Sequence, residues 1–200
     1  MEHGGNSYYE IGLEMIDSGF EYFAGGALKK VNGADGDKES LYDLAEKAGY
    51  KVTFTQADAE AVTPEDEKVV LIDEHLADSD AMDYDMDRAE GEWALKDYVA
   101  KGIEQLDNEN GFFMMCEGGK IDWACHANDA GATVTDTLAL ADAVQVAMVF
   151  MAQGTPVGMM LNYKYVAAEI VHTVVGSFGL VTVAPLTAIT SGLLLTRKKK

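Results

Sequence analysis

The sequence predicts an α/β fold with a mostly parallel sheet and helices layered against it. Short apolar runs typical of buried strands, such as VVLI at Val69–Ile72 and GFFMMC at residues 111–116, alternate with stretches of helical periodicity. Because 48% of the 200 residues are hydrophobic, the chain can bury one substantial core. We expect one layered domain at residues 1–155 and an apolar segment at 156–200.

The first elements are predicted to be a helix, a strand and a turn. Residues 8–28, YYEIGLEMIDSGFEYFAGGAL, place apolar side chains at helical spacing and then form an aromatic stretch that ends at Gly25 and Gly26. The polar stretch VNGADGDKES predicts a turn. Ser40 is an N-cap candidate for the helix LYDLAEKAGY, which Gly49 ends.

Three further elements lead to the centre of the chain. KVTFTQ alternates as a strand does, and a polar turn separates it from the strand Val69–Ile72. WALKDYVAKGIEQLD predicts a helix of about four turns whose apolar stripe would face the sheet. It leads into residues 111–116, whose fully apolar run predicts a central strand. The stripe contains Leu95, Tyr98, Val99, Ile103 and Leu106.

The charge of the chain excludes nucleic acid as a partner. The formal net charge is −19, and the residues ahead of the basic end RKKK carry −23. A phosphate backbone needs clustered Lys and Arg, which these residues lack. The most acidic run, ADSDAMDYDMDRAEGE, predicts a solvated loop. Calcium binding is a weaker alternative there, because the spacing of an EF-hand loop is absent.

A carboxylate, a glycine pair and a carboxylate–imidazole pair follow the apolar run 111–116. Glu117 comes directly after it, and Asp122 and His126 are four residues apart, so they share one face if a helix begins between them. Ligands of open α/β sheets bind beyond the carboxyl ends of the strands. Asp and His donors suit zinc, and a Glu oxygen suits magnesium. The alternative is structural: two helix caps and a core histidine.

The two cysteines carry little information about the cellular compartment. Cys116 and Cys125 show neither CxxC spacing nor a disulfide framework. We expect both to be small buried apolar residues rather than ligands or disulfide partners.

The stretch MMCEGGKIDWACHANDAGAT resembles the metal-binding signature of the alkaline phosphatase family. Similarity extends back through LKDYVAKGIEQLDNENGFF, EKAGYKVTFTQ and GFEYFAGGAL, and forward through DTLALADAVQVAMVF, so it covers about residues 5–152. The resemblance implies the layered fold of that family, represented by a central fragment. It also implies metal-dependent hydrolysis of phosphomonoesters, with zinc and magnesium as cofactors.

Carried over by motif, the resemblance implies that Glu117 is a magnesium ligand and that Asp122 and His126 are ligands of one of two zinc ions. The family attacks phosphorus with a serine in an Asp-Ser-Ala motif, and no such tripeptide occurs in this sequence. After Met151 there is His172 but no aspartate to complete the second zinc site. We therefore expect this chain alone to be inactive, with incomplete sites that bind metal weakly.

The last fifth of the sequence predicts a membrane-spanning segment. Residues 173–196 contain no charge and precede RKKK, and this length can cross a bilayer. YVAAEIVHTVVGSFGLVTVAPLTA resembles the last span of YibE/F-like bacterial membrane proteins. The alternative is a strand pair with a proline turn inside a soluble fold.

Two functions therefore stay open. One is a phosphatase of the alkaline phosphatase family, with a phosphomonoester as substrate. The other is a non-catalytic metal-binding or membrane-tethered acidic module. The resemblance leaves homo-oligomerisation open. The family is usually exported, yet the N-terminal residues MEHGGNSYYEIG lack the pattern of an export signal, so no location is predicted.

Overall fold

The computed structural model describes residues 7–154, and side chains through residue 149. Within this range, three parallel strands form one sheet in the order β1-β3-β2, which confirms the predicted α/β fold. The strands are β1 (Tyr22–Gly25), β2 (Lys51–Thr53) and β3 (Val69–Ile72). The helices are α1 (Tyr8–Asp17), α2 (Leu41–Lys47), α3 (Gln56–Glu60), α4 (Leu95–Leu106), α5 (Lys120–His126) and α6 (Ala130–Gly154).

Strand β3 is the centre of the sheet because both of its faces are buried. Val70 and Ile72 pack into a cluster built with α1 and α2, whereas Val69 and Leu71 pack against Tyr98 of α4 and residues near α3. Successive side chains of a strand point to opposite faces, so an uninterrupted apolar run suits a strand covered on both sides. The described elements therefore form three layers, with helices on each face of the sheet.

The predicted strand at residues 111–116 is wrong. The segment is not assigned to any strand, and residues 112–117 form no backbone hydrogen bond with other described residues. Two of its side chains, Phe113 and Met115, are about four-fifths exposed, at 80% and 78%. A run of apolar residues becomes a strand only when a neighbouring strand pairs with it, and none of the described strands pairs with this segment.

Local sequence signals explain where two of the helices begin. The side chain of Ser40 accepts a hydrogen bond from the Tyr42 amide at 3.2 Å, as predicted for the start of α2. The sequence prediction missed α3, although Thr55 accepts a hydrogen bond from the Asp58 amide at 3.1 Å and so begins it. Because Thr55 serves as this cap, the strand predicted over KVTFTQ ends at Thr53.

Over Ala130–Val149, helix α6 is long and apolar enough to cross a membrane, judged by length and composition alone. Only 11% of its most apolar window is buried among the described residues. A helix that packs on a soluble core can have the same composition, and α6 packs Ala143 against Val99 and Ile103 of α4. The span predicted from the sequence at residues 173–196 lies outside the described residues. Its alternative, a strand pair, lies there too.

Candidate metal site at the carboxyl end of strand β1

A cleft of about 1360 Å³ runs along β1 and reaches its carboxyl end. At that end it is lined by Gly25 and Gly26, by Glu117 and by the first turn of α5. Gly26 is required there, because a Cβ atom at this position would meet the backbone oxygen of Asp80 at 2.5 Å. The loop after β3 therefore closes directly over the end of β1, where open α/β sheets bind their ligands.

The glycine pair and the sequence HAND position helices α5 and α6. A Cβ at Gly118 would meet side-chain atoms of Ile121 at 2.9 Å and Leu140 at 3.2 Å, so the absence of a side chain lets α6 lie close. Asn128 ends α5 with a left-handed φ of 56°, a conformation that asparagine tolerates better than most residues. Asp129 then caps α6 by accepting a hydrogen bond from the Ala132 amide at 3.0 Å.

The structure brings Asp122 and His126 together on one face of α5. Asp122 Oδ1 and His126 Nε2 are 3.5 Å apart, and the side chains are 75% and 82% exposed. Glu117 lines the cleft together with Asp122, but His126 does not. The described residues include no group of three or more His, Cys, Asp or Glu side chains arranged to hold a metal ion. The assignment of Glu117, Asp122 and His126 as metal ligands stays a prediction.

The prediction that both cysteines are buried is wrong for Cys125. Cys116 is half-buried, whereas Cys125 is exposed on α5 next to His126. Its Sγ atom lies 3.8 Å from the hydroxyl of Thr133. Ala124 is the one buried residue of the short helix α5, so the other side chains of the helix, including Cys125, lie toward solvent.

Asp136 and Lys120 are cleft residues that sequence reasoning missed. Asp136 is buried, and its Oδ2 atom has no hydrogen-bond partner among the described residues. Burial raises the pKa of Asp136, and a hydrogen bond from the Asp85 backbone opposes that rise. The ammonium group of Lys120 lies 4.2 Å from the ring centroid of Tyr84 and 4.9 Å from that of Trp123. The two rings hold this cation among the acidic side chains that line the cleft.

Asp73 continues β3 and ties the sheet to α4. Its Oδ1 atom accepts a hydrogen bond from the His75 amide at 2.8 Å, and its Oδ2 atom accepts one from the Tyr98 hydroxyl at 3.1 Å. Burial raises the pKa of Asp73, and the two hydrogen bonds oppose that rise. Burial also raises the pKa of Tyr98, helped by the charge of Asp73. The buried hydrogen bond between Tyr98 and Asp73 therefore has a structural role, because it links α4 to the end of β3.

We expect Asp73→Asn to gain stability relative to the wild type as pH rises. The folded state raises the Asp73 pKa, so the stabilisation present at acid pH is lost as pH rises through the folded pKa. Asparagine has the same shape and carries no charge, so it avoids that loss. Urea unfolding between about pH 3 and pH 7 measures the difference in free energy of unfolding. The exposed change Glu46→Gln is the control, and a pH dependence equal to that of Asp73→Asn would contradict the assignment.

The family model of alkaline phosphatases matches residues 15–183, more than half of the chain. The chain belongs to the alkaline phosphatase family. The match contains the whole stretch from Glu117 to His126, whose sequence resembles the metal-binding signature of the family. The match extends to residue 183, beyond the resemblance predicted over residues 5–152, and the resemblance of the tail to YibE/F-like proteins stays a prediction.

Two curated alkaline phosphatases are similar to parts of the chain. The repressible alkaline phosphatase of Saccharomyces cerevisiae is 31% identical over 128 residues, which are 60% of this chain and 23% of the yeast protein. Alkaline phosphatase 4 of Bacillus subtilis is 36% identical over 66 residues, which are 32% of this chain and 14% of the relative. This alkaline phosphatase family member thus spans less than a quarter of each of these relatives.

Solved structures of alkaline phosphatases share the fold. The enzyme of the Antarctic bacterium TAB5 is 28% identical with a TM-score of 0.60, and the match covers 72% of this chain and 40% of that one. Two variants of that enzyme carry magnesium in a site named M3. The alkaline phosphatase of Thermus thermophilus is also 28% identical with a TM-score of 0.60, over 74% of this chain and 31% of that one.

Proposed function

We propose that this chain carries a metal-ligating part of an alkaline phosphatase and serves the hydrolysis of phosphomonoesters. One observation carries the proposal: Asp122 and His126 lie 3.5 Å apart, one helical turn from each other, inside a segment that matches the family. In this proposal Asp122 and His126 are zinc ligands and Glu117 is a magnesium ligand. Binding of magnesium by the TAB5 variants supports a metal requirement in the family.

The donor atoms at this place fit those metals. An imidazole nitrogen and a carboxylate oxygen on one helix face can bind a single zinc ion, which accepts N and O ligands in a tetrahedral site. Glu117 offers oxygen donors, which suit the harder magnesium ion. A Cβ built on Gly119 would lie 4.0 Å from Glu117 Oε1, so the carboxylate stays close to the start of α5. Both donor groups therefore lie around one glycine turn.

The side chains around the cleft have distinct tasks in this proposal. When bound, the cations stabilise the attacking and leaving oxygens of an in-line displacement at phosphorus. The Lys120 ammonium, held beside two aromatic rings, attracts the phosphate dianion into a cleft whose charged side chains are mostly acidic. Arg88 is less available, because its guanidinium contacts Asp85 at 2.6 Å and the Glu92 carbonyl at 2.8 Å.

The alternative is a non-catalytic metal-binding or membrane-tethered acidic module that retains the signature. The high exposure of Asp122 and His126 favours it, because two exposed ligands form a weaker zinc site than the usual three or four. Titration with p-nitrophenyl phosphonate, a non-hydrolysable analogue, separates the two. The phosphatase proposal expects analogue binding only in the presence of zinc. Zinc binding without any effect on the analogue would favour the module.

We expect the purified 200-residue chain to hydrolyse p-nitrophenyl phosphate negligibly, even with zinc and magnesium added. Covalent displacement needs an activated nucleophile, and the sequence contains no Asp-Ser-Ala motif. Release of p-nitrophenol, measured with and without a chelator, checks this. His126→Ala identifies activity from a contaminating phosphatase, because such activity would persist in the variant. Metal-dependent turnover that disappears in His126→Ala would contradict the predicted inactivity.

A further inference from the structure

Apolar packing holds helix α5 only weakly. The helix has seven residues, and Ala124 is the one that is buried. A helix this short is marginal by itself, so contacts with other parts of the fold must fix its position. The candidate ligands Asp122 and His126 both lie on α5 and are both exposed. Whatever fixes α5 therefore sets the direction in which these two side chains point.

The side chain of Lys120 joins the first turn of α5 to a loop that is distant in the sequence. Its Nζ atom lies 4.2 Å from the ring centroid of Tyr84 and 4.9 Å from that of Trp123. A cation over the face of an aromatic ring is attracted by the negative charge of the π-system. Because Trp123 belongs to α5 and Tyr84 does not, the same ammonium group contacts both the helix and the loop.

Residues 84–92, which we call the Tyr84 loop, are braced by their own hydrogen bonds. The Asp87 amide donates to the Tyr84 carbonyl at 2.9 Å. The guanidinium of Arg88 donates to the Asp85 carboxylate at 2.6 Å and to the Glu92 carbonyl at 2.8 Å. A charge-assisted bond of this kind holds its loop more firmly than a neutral one. The ring of Tyr84 therefore lies on a well-supported segment.

Asp136 of α6 contacts the same loop. Its carboxylate accepts a hydrogen bond from the Asp85 backbone, and its Oδ2 atom has no hydrogen-bond partner among the described residues. Asp136 is 8% exposed, and a buried carboxylate is costly unless a cation compensates its charge. Burial raises the pKa of Asp136, and the charge of Lys120 opposes that rise. Lys120 thus interacts with the Tyr84 loop through a ring and with α6 through a charge.

We propose that Lys120 is a positioning residue, which holds the first turn of α5 against the Tyr84 loop and so directs Asp122 into the cleft. Its effect on metal binding rests on the proposed function, whereas its effect on α5 does not. Lys120 cannot itself bind a metal ion while protonated, because an ammonium group has no acceptor. Its charge alone would repel zinc, so a purely electrostatic role and a positioning role predict opposite changes when that charge is removed.

Hydrogen exchange of the metal-free chain tests the contact itself. Lys120→Met removes the charge from a side chain of similar length, and Tyr84→Leu removes the ring. In each variant the amides of residues 124–127 should exchange about threefold faster or more, because α5 opens more often. The amides of β3 should exchange as in the wild type, which shows that the core is folded.

Conservative variants separate this contact from a general loss of structure. Lys120→Arg keeps a cation that stacks on aromatic rings, and Tyr84→Phe keeps the ring, so both should exchange as the wild type does. Lys96→Met, at an exposed position of α4, is the matched control. The double variant of Lys120→Met and Tyr84→Leu should be no worse than either single change. Additive effects, or unchanged exchange in both single variants, would overturn the proposal.

Zinc titration by calorimetry is the second readout. Zinc affinity should fall about threefold or more in Lys120→Met, although a repelling charge is lost, and also in Tyr84→Leu. It should stay at the wild-type value in Lys120→Arg. Tighter zinc binding in Lys120→Met, with no change in Tyr84→Leu, would show that Lys120 acts by charge alone and would overturn the proposal. A wild-type chain that binds no zinc would instead contradict the proposed function, and the exchange result would then decide the role of Lys120.

Discussion

We expect zinc affinity to fall about a hundredfold or more when His126 is replaced by alanine. His126 Nε2 and Asp122 Oδ1 are the donor pair that the structure places within 3.5 Å, and loss of the imidazole leaves a single exposed carboxylate. The wild-type chain should bind zinc in the micromolar range or more weakly, because water fills the remaining positions of the tetrahedral site. Magnesium should bind more weakly still, since Glu117 alone supplies its charge. Isothermal titration calorimetry measures both affinities.

Two further variants test whether the loss of zinc affinity is specific to His126. His75→Ala removes another exposed histidine, whose Nδ1 atom lies 3.6 Å from Glu92, and should leave zinc affinity unchanged. Cys125→Ser tests the exposed thiol beside His126, and a large loss there would show that sulfur completes the site. Nanomolar zinc affinity in the wild type would mean that further ligands are present. Affinity unchanged in His126→Ala would remove the basis of the metal assignment.

Leu71→Ala should destabilise the chain by about 2–5 kcal/mol. Leu71 is fully buried in β3, where it packs between the helices α3 and α4 with Val62 and Tyr98. Truncation removes three carbons from a dense cluster and leaves a cavity that the parallel sheet cannot close. Urea unfolding, followed by the fluorescence of Trp93 in the same cluster, measures the loss.

Leu138→Ala is the control for this change, since the Leu138 side chain on α6 is more than half exposed. The free energy of unfolding of Leu138→Ala should stay within about 0.5 kcal/mol of the wild-type value. Equal losses in the two variants would show that β3 is not the centre of the core. A loss confined to Leu71→Ala would confirm the layered packing around this strand.

Much of the fold follows from local sequence signals. Helix α2 begins at the predicted Ser40 cap and ends near Gly49, and the stripe of α4 buries Tyr98, Val99 and Ile103 as expected. The apolar run Val69–Ile72 forms a fully buried strand. These elements were predictable because caps, helical periodicity and apolar runs act over a few residues, within reach of the sequence pattern.

The segment 111–116 and Asp136 show what local patterns leave open. The sequence GFFMMC is as apolar as VVLI, yet only VVLI has strands on both sides. Pairing depends on residues distant in the chain, so no short window contains that information. The sequence does not distinguish Asp136 from the other polar residues of α6. Its burial in the cleft depends on the position of α6 beside the loop that contains Asp85.

For the candidate site, the residue order alone predicts the family signature, the candidate ligands Glu117, Asp122 and His126, and the helical turn that separates the last two. Tertiary packing makes Asp122 and His126 an exposed pair, and it places Glu117 but not His126 in the lining of the cleft. The helical repeat fixes neighbours four residues apart, whatever the rest of the chain does. Convergence across the glycine turn depends instead on where the tertiary fold places α5 relative to Glu117, which the order of residues does not encode locally.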